Sequence, residues 1–279
     1  MRDNTRNFAT RTLSGAILLV VVAGATLLSQ WSFGALLLII TMGCVYEFNR
    51  MSRMLGYKPM EAMAIVGSGA IFAFAYDGFF NSSEWSIQIA LFLMLIIPMT
   101  FAVEVFKGSK MPMINIALTL MPLLYIAAPI ALLSGVPIQI CGGEWSPITM
   151  LLYFIVVWSN DIFAYVAGIT LGKHKLCERL SPKKTWEGFF GGLIGSVVIS
   201  IAVAHILGHN IALWIGIAVI ATVAGVLGDL VESMFKRSID MKDSGSLMPG
   251  HGGWLDRFDS LILSSPFVFV YLLIISLTK

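Results

Sequence analysis

The chain has 279 residues, of which 57% are hydrophobic and only 12% are charged. Soluble domains carry about 25% charged residues, so this composition, with a mean hydropathy of +0.86, excludes an ordinary soluble enzyme, a disordered chain, a disulfide-rich secreted module and a nucleic-acid binder. It indicates an integral membrane protein, in which the placement of charge matters more than the formal net charge of +2.

Apolar stretches long enough to cross a bilayer recur along the whole chain. A hydrocarbon core about 30 Å thick needs roughly 20 apolar residues per helix, and continuous apolar runs favour helices over alternating barrel strands. The sequence therefore predicts an all-α polytopic membrane protein with about nine spans. In chain order they are Leu13–Leu28, Trp31–Tyr46, Met60–Phe80, Trp85–Phe106, Ile114–Leu133, Ile148–Leu171, Gly188–His205, Ile211–Leu230 and Leu261–Leu277.

The basic residues predict the orientation of these spans. With nine spans, seventeen of the eighteen Lys and Arg residues fall on one side of the membrane and only Lys279 falls on the other. Cytoplasmic loops carry an excess of Lys and Arg. We therefore expect a multi-pass membrane protein with a cytoplasmic N-terminus and an external C-terminus.

The chain is expected to divide into two regions. Residues 1–140 would form an N-terminal transmembrane bundle of about five spans, and residues 141–279 a catalytic membrane region of about four spans with two cytoplasmic loops. The arginines before the first span and its Ala23-Gly24-Ala25 run also resemble a signal peptide. Because the apolar run continues through Leu28, a retained helix is favoured.

Half of the charged residues lie in two predicted cytoplasmic segments, 173–187 and 229–259. In the second, Asp229, Glu232 and Ser233 share one helical face. Lys236 and Arg237 continue that face. Oxygen ligands on one face suit Mg²⁺, which takes few carboxylates and keeps room for water and phosphate. The alternative is that Lys236 forms ion pairs with Asp229 and Glu232.

A glycine-rich turn precedes the last predicted span. Gly252 and Gly253 allow unusual backbone angles and can present amide groups to phosphate oxygens. His251 beside them is equally compatible with a phosphate donor and with a plain loop residue.

Two acids follow this turn. Asp259 is explained by capping of the last span, since a helix N-terminus favours acids. Asp256 and Asp229 would emerge from consecutive spans on the same side of the membrane. They could therefore converge on one cation or on a pair of cations.

The first charged segment is basic and leads into the seventh span. Ser181 and Pro182 mark a turn. Lys183 and Lys184 follow, beside Trp186 and Glu187, and lysines next to a helix N-terminus form an anion site. Attraction to anionic lipid alone explains the other bases, which are Lys173, Lys175 and Arg179.

Asp161 lies well inside the sixth predicted span, beside Ser159 and Asn160. An ionisable residue within a span is a functional hypothesis by default. Its expected partner is a cation or a base from the Lys183–Lys184 loop.

Two further acids lie near predicted cytoplasmic helix ends. Glu47 precedes Arg50 by three residues, and Glu104 precedes Lys107 by the same spacing. Both are predicted to form ion pairs along their own helices.

Four sequence elements resemble one known family. From Ser233 to Asp259 the chain reads S-M-F-K-R, four residues, K-D and, further on, P-G-H-G-G-W-L-D-R-F-D, which resembles the signature of phosphatidate cytidylyltransferases, also called CDP-diacylglycerol synthases. G-D-L-V-E-S, S-P-K-K-T-W-E-G and the intramembrane N-D-I-F-A-Y also look like family elements. The resemblance covers roughly residues 150–265. Met248 before Pro249, and Lys184 where a glycine is expected, are small departures.

The resemblance implies a reaction in which CTP and phosphatidic acid give CDP-diacylglycerol and pyrophosphate. The lipid phosphate would attack the α-phosphorus of CTP in line at the cytoplasmic membrane face. Mg²⁺ is the implied cofactor, with a second, monovalent cation as a further implication. A homodimer is also implied, although only the glycines from Gly188 to Gly195 approach a G-x-x-x-G face.

The site residues that follow from the motifs and the resemblance fall into three groups. Those expected to act in catalysis are Asp161, Lys183, Lys184, Asp229 and Asp256. Those expected to bind substrate are Ser181, Glu187, Ser233, Lys236, Arg237, Lys242, Asp243, His251, Gly252, Gly253 and Arg257. The expected metal ligands are Asp229 and Asp256, with Glu232, Asp161 and Asp259 as further candidates.

Two other classes of protein remain to be weighed against this one. A transferase acting on a polyprenyl or other lipid phosphate would share the same acids, bases and Mg²⁺ but use another nucleotide or acceptor. A transporter with Asp161 and Asp229 on an ion path would place charges near mid-bilayer in both halves of the chain. Here the charges collect on one side and in the second half, which counts against a transporter.

Overall fold

The computed structural model describes residues 2–81, 85–241 and 252–278, with side chains from Ser14 onwards. This part of the chain forms ten α-helices and one two-stranded sheet. The elements are α1 Arg2–Leu28, α2 Gln30–Met54, α3 Glu61–Phe80, α4 Trp85–Lys107, α5 Pro112–Pro122, a π-helical turn Leu123–Ala127, α6 Ala128–Ile140, α7 Pro147–Leu171, β1 Lys175–Cys177, β2 Ser181–Thr185, α8 Trp186–Leu207, α9 Ile211–Ser238 and α10 Leu255–Leu277.

Most of these helices can cross a bilayer. In the described ranges, eight are long and apolar enough, with α5 and α6 counted as one helix through the π-helical turn. The apolar part of α1, Ser14–Leu28, is shorter and corresponds to the first predicted span. The predicted all-α polytopic membrane fold is confirmed, whereas the orientation of the N-terminus and the C-terminus stays a prediction.

Two features differ from the predicted elements. Helix α9 continues to Ser238, about two turns beyond the predicted end at Leu230. The basic segment contains a β-hairpin, in which β1 pairs antiparallel with β2 and Lys175 faces Thr185. Both differences lie where hydropathy falls, because apolar content marks the membrane boundary and not the end of a hydrogen-bonded element.

The chain forms two compact units. The first combines residues 1–135 with residues 239–258, and the second combines residues 136–238 with residues 259–279. The first unit therefore includes α1–α5, the π-helical turn and most of α6, together with the start of α10.

In the first unit, a tyrosine fixes the packing of α2 against α3. The ring of Tyr76 lies against Gly34, where an added Cβ would come within 2.5 Å of a ring carbon. Its hydroxyl donates a hydrogen bond to the carbonyl oxygen of Gln30 over 2.6 Å. The small residue on α2 thus makes room for the ring and for its polar partner.

A buried amide holds the loop between α2 and α3 at the opposite end of α3. Asn115 accepts a hydrogen bond from the N–H of Lys58 (2.9 Å) and donates one to Glu104 (2.9 Å). Nζ of Lys107 lies 3.7 Å from the other carboxylate oxygen of Glu104. The predicted ion pair between Glu104 and Lys107 is confirmed, and it forms part of a larger polar network.

In the second unit, glycines bring α7 and α8 into backbone contact. An added Cβ on Gly192 would lie 2.4 Å from Oδ1 and 2.9 Å from the carbonyl oxygen of Asn160. One on Gly188 would lie 2.9 Å from the carbonyl oxygen of Ala164. Such close packing of small residues is how membrane helices associate without a hydrophobic driving force.

We expect Gly192→Ala to lower the free energy of unfolding by about 1–3 kcal/mol, because the backbone of Asn160 cannot move away from a new methyl group without separating α7 from α8. Thermal unfolding in detergent measures the change. Gly69→Ala is the matched control, since the nearest atom to its added Cβ is a methyl carbon of Met42 at 3.9 Å. An equal effect of both substitutions would contradict the packing argument.

Candidate active site

The β-hairpin places a lysine at the entrance to α8. Thr185 ends β2 and caps α8, because its hydroxyl oxygen accepts a hydrogen bond from the N–H of Gly188 over 3.1 Å. The N–H of Trp186 donates to the carbonyl oxygen of His174 over 2.9 Å. Lys184 is therefore the residue immediately before the helix cap. It lies on β2, which is held in place by its pairing with β1.

Glu187 shapes the turn that leads from α7 into this hairpin. Its carboxylate accepts hydrogen bonds from the N–H of Lys173 (3.1 Å) and of His174 (3.2 Å). Nδ1 of His174 lies 2.6 Å from the same carboxylate. Glu187 was predicted to bind substrate, and in this structure its carboxylate is engaged by the turn.

Lys184 forms an ion pair with Asp229 of α9. The two side chains are 26% and 37% exposed, so the pair remains accessible to a ligand. Asp161 of α7 is attracted by the positive charge of Lys184 and repelled by the negative charge of Asp229. The same holds for Asp259 of α10, which also interacts with Asp161. We call these four residues the Lys184 cluster, and all of them belong to the second unit.

The packing of α9 against α10 explains why Asp229 and Asp259 come together. Gly228 lies so close to α10 that an added Cβ would be 2.4 Å from the carbonyl oxygen of Asp259. One turn earlier, an added Cβ on Gly225 would be 3.4 Å from the Cβ of Ser260. The small residues Gly225 and Gly228 thus let α9 approach α10 so closely that Asp229 can interact with Asp259.

The predicted capping role of Asp259 is not the arrangement found. Helix α10 begins at Leu255, so Asp259 lies beyond the first turn, and Asp256 is the acid of that turn. Asp256 accepts a hydrogen bond from the N–H of Gly253 over 2.9 Å. Asp259 instead is largely buried and joins the Lys184 cluster.

Asp161 lies within α7, on the exposed surface of that helix. The buried Asn160 beside it donates a long hydrogen bond of 3.4 Å to the carboxylate. Asn160 lies against Gly192 of α8. The packing of α7 on α8 therefore fixes the position of the amide that donates to Asp161.

The final turns of α9 hold a second charged pair. Glu232 is 1% exposed and forms an ion pair with Lys236 one turn further on. The alternative in which Lys236 pairs with this acid is thus found, while Asp229 pairs with Lys184. Arg237 is exposed and Ser233 is half-buried on the same helix.

Some of the remaining predicted site residues lie in the described part of the chain, and others lie outside it. Lys183 is exposed on β2, and Ser181 is half-buried at the start of that strand. Gly252 has a φ of +81°, which favours glycine, and Arg257 is exposed in the first turn of α10. The predicted substrate-binding residues Lys242, Asp243 and His251 lie outside the described residues.

The oxygen donors of the Lys184 cluster can be compared with the needs of Mg²⁺, the cofactor that the resemblance implies. In the described part of the chain, no three His, Cys, Asp or Glu side chains form a ready-made group for a metal ion. Mg²⁺ does not require one, since it is commonly held by one or two carboxylates together with water and substrate phosphates. The oxygen donors of the cluster and its excess of negative charge fit that ion.

The chain belongs to the cytidylyltransferase family, whose profile matches residues 9–275. Proteins named phosphatidate cytidylyltransferase resemble it in Staphylococcus saprophyticus (48% identical over 126 residues) and in Staphylococcus aureus (46% identical over 126 residues). Each match covers 44% of this chain and 48% of the relative. In these alignments the chain spans about half the length of the relatives it matches.

We expect Lys184→Met to lower the free energy of unfolding by about 1–3 kcal/mol, because Asp161, Asp229 and Asp259 would then face one another without an ammonium group as a partner. Lys183→Met, which changes the exposed neighbour, should leave the unfolding midpoint unchanged. Thermal unfolding of both variants in the same detergent measures the difference. Equal midpoints for the two variants would show that Lys184 does not balance the cluster.

Proposed function

We propose that this protein is a phosphatidate cytidylyltransferase, which converts CTP and phosphatidic acid into CDP-diacylglycerol and pyrophosphate. The observation that carries the proposal is the Lys184 cluster, in which a lysine and three acids from membrane helices come together. Family membership and the names of the relatives support it. Both proposed substrates are polyanions and one is a lipid, so a charged site on membrane helices suits them.

The chemistry requires positioning more than acid–base catalysis. A phosphate oxygen of phosphatidic acid attacks the α-phosphorus of CTP, and the bond from that phosphorus to the bridging oxygen breaks to release pyrophosphate. The second pKa of a phosphate monoester is about 6, so the nucleophile is largely ionised at pH 7. No general base is then needed, and the protein contributes orientation and charge stabilisation.

Lys184 is the residue we propose to bind a reacting phosphate. Its ammonium group can exchange the carboxylate of Asp229 for a phosphate oxygen, which is an equally strong charge-assisted partner. Lys183, Lys236 and Arg237 are proposed to bind further phosphate oxygens, and Arg257 stays a predicted substrate-binding residue. Asp161 would then orient the lysine from within α7.

Mg²⁺ is the proposed cofactor, and Asp229 its principal ligand in the second unit. When bound, the ion supplies neutralisation of charge on the phosphate oxygens. Asp161 and Asp259 are proposed to complete the site, because both are repelled by the like charge of Asp229 and a bound cation would relieve that repulsion. Asp256 stays a predicted metal ligand. The second cation and the homodimer also stay predictions.

The test of the proposed function uses purified protein in mixed micelles with labelled CTP, phosphatidic acid and Mg²⁺. The expected products are CDP-diacylglycerol and pyrophosphate in equal amounts, and none without Mg²⁺. Asp229→Asn should lower kcat about a thousandfold, as the loss of a group that stabilises transition-state charge does. Glu144→Gln, which changes an exposed acid before α7, is the control and should retain full activity.

Absence of any CDP-lipid product in the wild-type protein would refute the proposal. Transfer to a polyprenyl phosphate, or from another nucleotide, would indicate the related lipid-phosphate transferase instead. Normal turnover by Asp229→Asn would remove that residue from the proposed metal site.

We also propose that the site faces the cytoplasm, because the bases near it belong to the side that the distribution of Lys and Arg marks as internal. Sealed vesicles test this, since CTP does not cross a bilayer. Inverted membrane vesicles should use added CTP, and right-side-out vesicles should do so only after permeabilisation. Equal use of CTP by both intact preparations would contradict the proposed orientation.

A further inference from the structure

Glu47 is a buried acid of the first unit that the proposed reaction does not use. It lies on α2 and is 0% exposed. Its Oε2 accepts a hydrogen bond from the N–H of Leu255 over 3.0 Å, across 208 positions of sequence. Leu255 is the first residue of α10 and is itself 1% exposed. The carboxylate therefore satisfies one of the backbone donors that a helix leaves unpaired at its N-terminus.

A second contact joins the same two segments one turn earlier on α2. The indole ring of Trp254 lies against Gly43, where an added Cβ would come within 2.8 Å of three ring atoms. The ring also stacks on Phe258, with centroids 6.3 Å apart. Because Trp254 and Leu255 are consecutive, α2 holds two neighbouring residues by two different kinds of contact.

Two contacts at consecutive residues fix the direction of the residues that follow. Each step along a helix turns the side chain by about 100°, so anchoring Trp254 and Leu255 determines where Asp256 and Arg257 point. Arg257 is exposed, and Asp256 is tied to the N–H of Gly253. Neither of these two side chains has to reach α2 in order to be oriented by it.

We infer that Glu47 is a positioning residue for Asp256 and Arg257, which acts through the backbone of Leu255. This inference rests on the proposed function, because it concerns two residues that the motifs and the resemblance predict to bind the metal and the substrate. It also replaces the predicted role of Glu47, which was an ion pair along its own helix. Burial of a carboxylate is costly unless it is hydrogen-bonded, and the N–H of Leu255 is such a partner.

Glu104 provides a matched control within the same unit. It is also a buried acid, at 3% exposure, but it binds Asn115 and Lys107 at the loop between α2 and α3. Replacing either acid by leucine removes a buried carboxylate from a membrane helix. Only the replacement of Glu47 also removes the acceptor for Leu255.

The experiment compares Glu47→Leu, Glu47→Gln and Glu104→Leu as full-length, monodisperse proteins in mixed micelles. Glu47→Leu should lower kcat about a hundredfold with little change in the KM for CTP, as a displaced catalytic group does. Glu47→Gln keeps an acceptor oxygen and should retain most of the activity. Glu104→Leu should lower the unfolding midpoint while kcat per folded molecule stays at the wild-type value.

Amide hydrogen exchange of residues 252–258 gives a second measurement that does not depend on turnover. Exchange should be faster in Glu47→Leu than in the wild type, and unchanged in Glu104→Leu. If Glu47→Leu does not fold, Gly43→Ala tests the same anchor, because its methyl group displaces the ring of Trp254. That variant should show the same fall in kcat and the same faster exchange.

Three results would overturn the inference. They are wild-type exchange in Glu47→Leu, a loss of activity no greater than the loss of folded protein, and inactivity of Glu47→Gln equal to that of Glu47→Leu. A wild-type protein that forms no CDP-lipid but shows the expected exchange pattern would refute the proposed function and keep the anchor of α10 on α2.

Discussion

A carboxylate on a membrane-spanning helix is costly unless a cation or a hydrogen-bond donor meets it, because lipid cannot solvate the charge. Glu104 is met by Asn115 and Lys107, Glu47 by the N–H of Leu255, and Asp229 by Lys184. Each of these acids binds a group on another element of the chain. Because each acid needs a partner, Glu47 holds the start of α10 and Asp229 holds the β-hairpin. These contacts position other elements in addition to stabilising the helix that carries the acid.

This requirement can be met only where helices approach closely enough. Gly228 lets α9 touch the backbone of α10 beside Asp259, and Gly192 lets α8 touch α7 beside Asn160. A single methyl group at Gly228 would separate the two helices that carry Asp229 and Asp259, and one at Gly192 would separate α8 from α7, the helix that carries Asp161. The glycines of the second unit thus set the distances between its helices. The charged residues of the same unit interact over those distances.

The sequence predicted the spans and the acids of the site because both signals are local. A run of apolar residues is a property of consecutive positions, and so is a lysine pair before a helix such as Lys183–Lys184. The β-hairpin was missed because its strands are only three and five residues long. Asp259 was predicted to cap the last span, with metal binding as a further candidate role. The capping prediction was wrong because capping depends on where α10 begins, and that start is set by packing against α2 and not by composition.

The position of Glu47 shows what a search for clustered charge leaves out. Such a search finds the groups that can touch a polyanionic substrate, because these have to lie together. A group that orients them has no reason to be near them in the sequence, and its contact here is with a backbone N–H and an indole ring, which carry no charge. An isolated acid inside an apolar helix is therefore informative for the same physical reason as a cluster. Its burial has a cost, and the partner that offsets the cost identifies the segment that it holds.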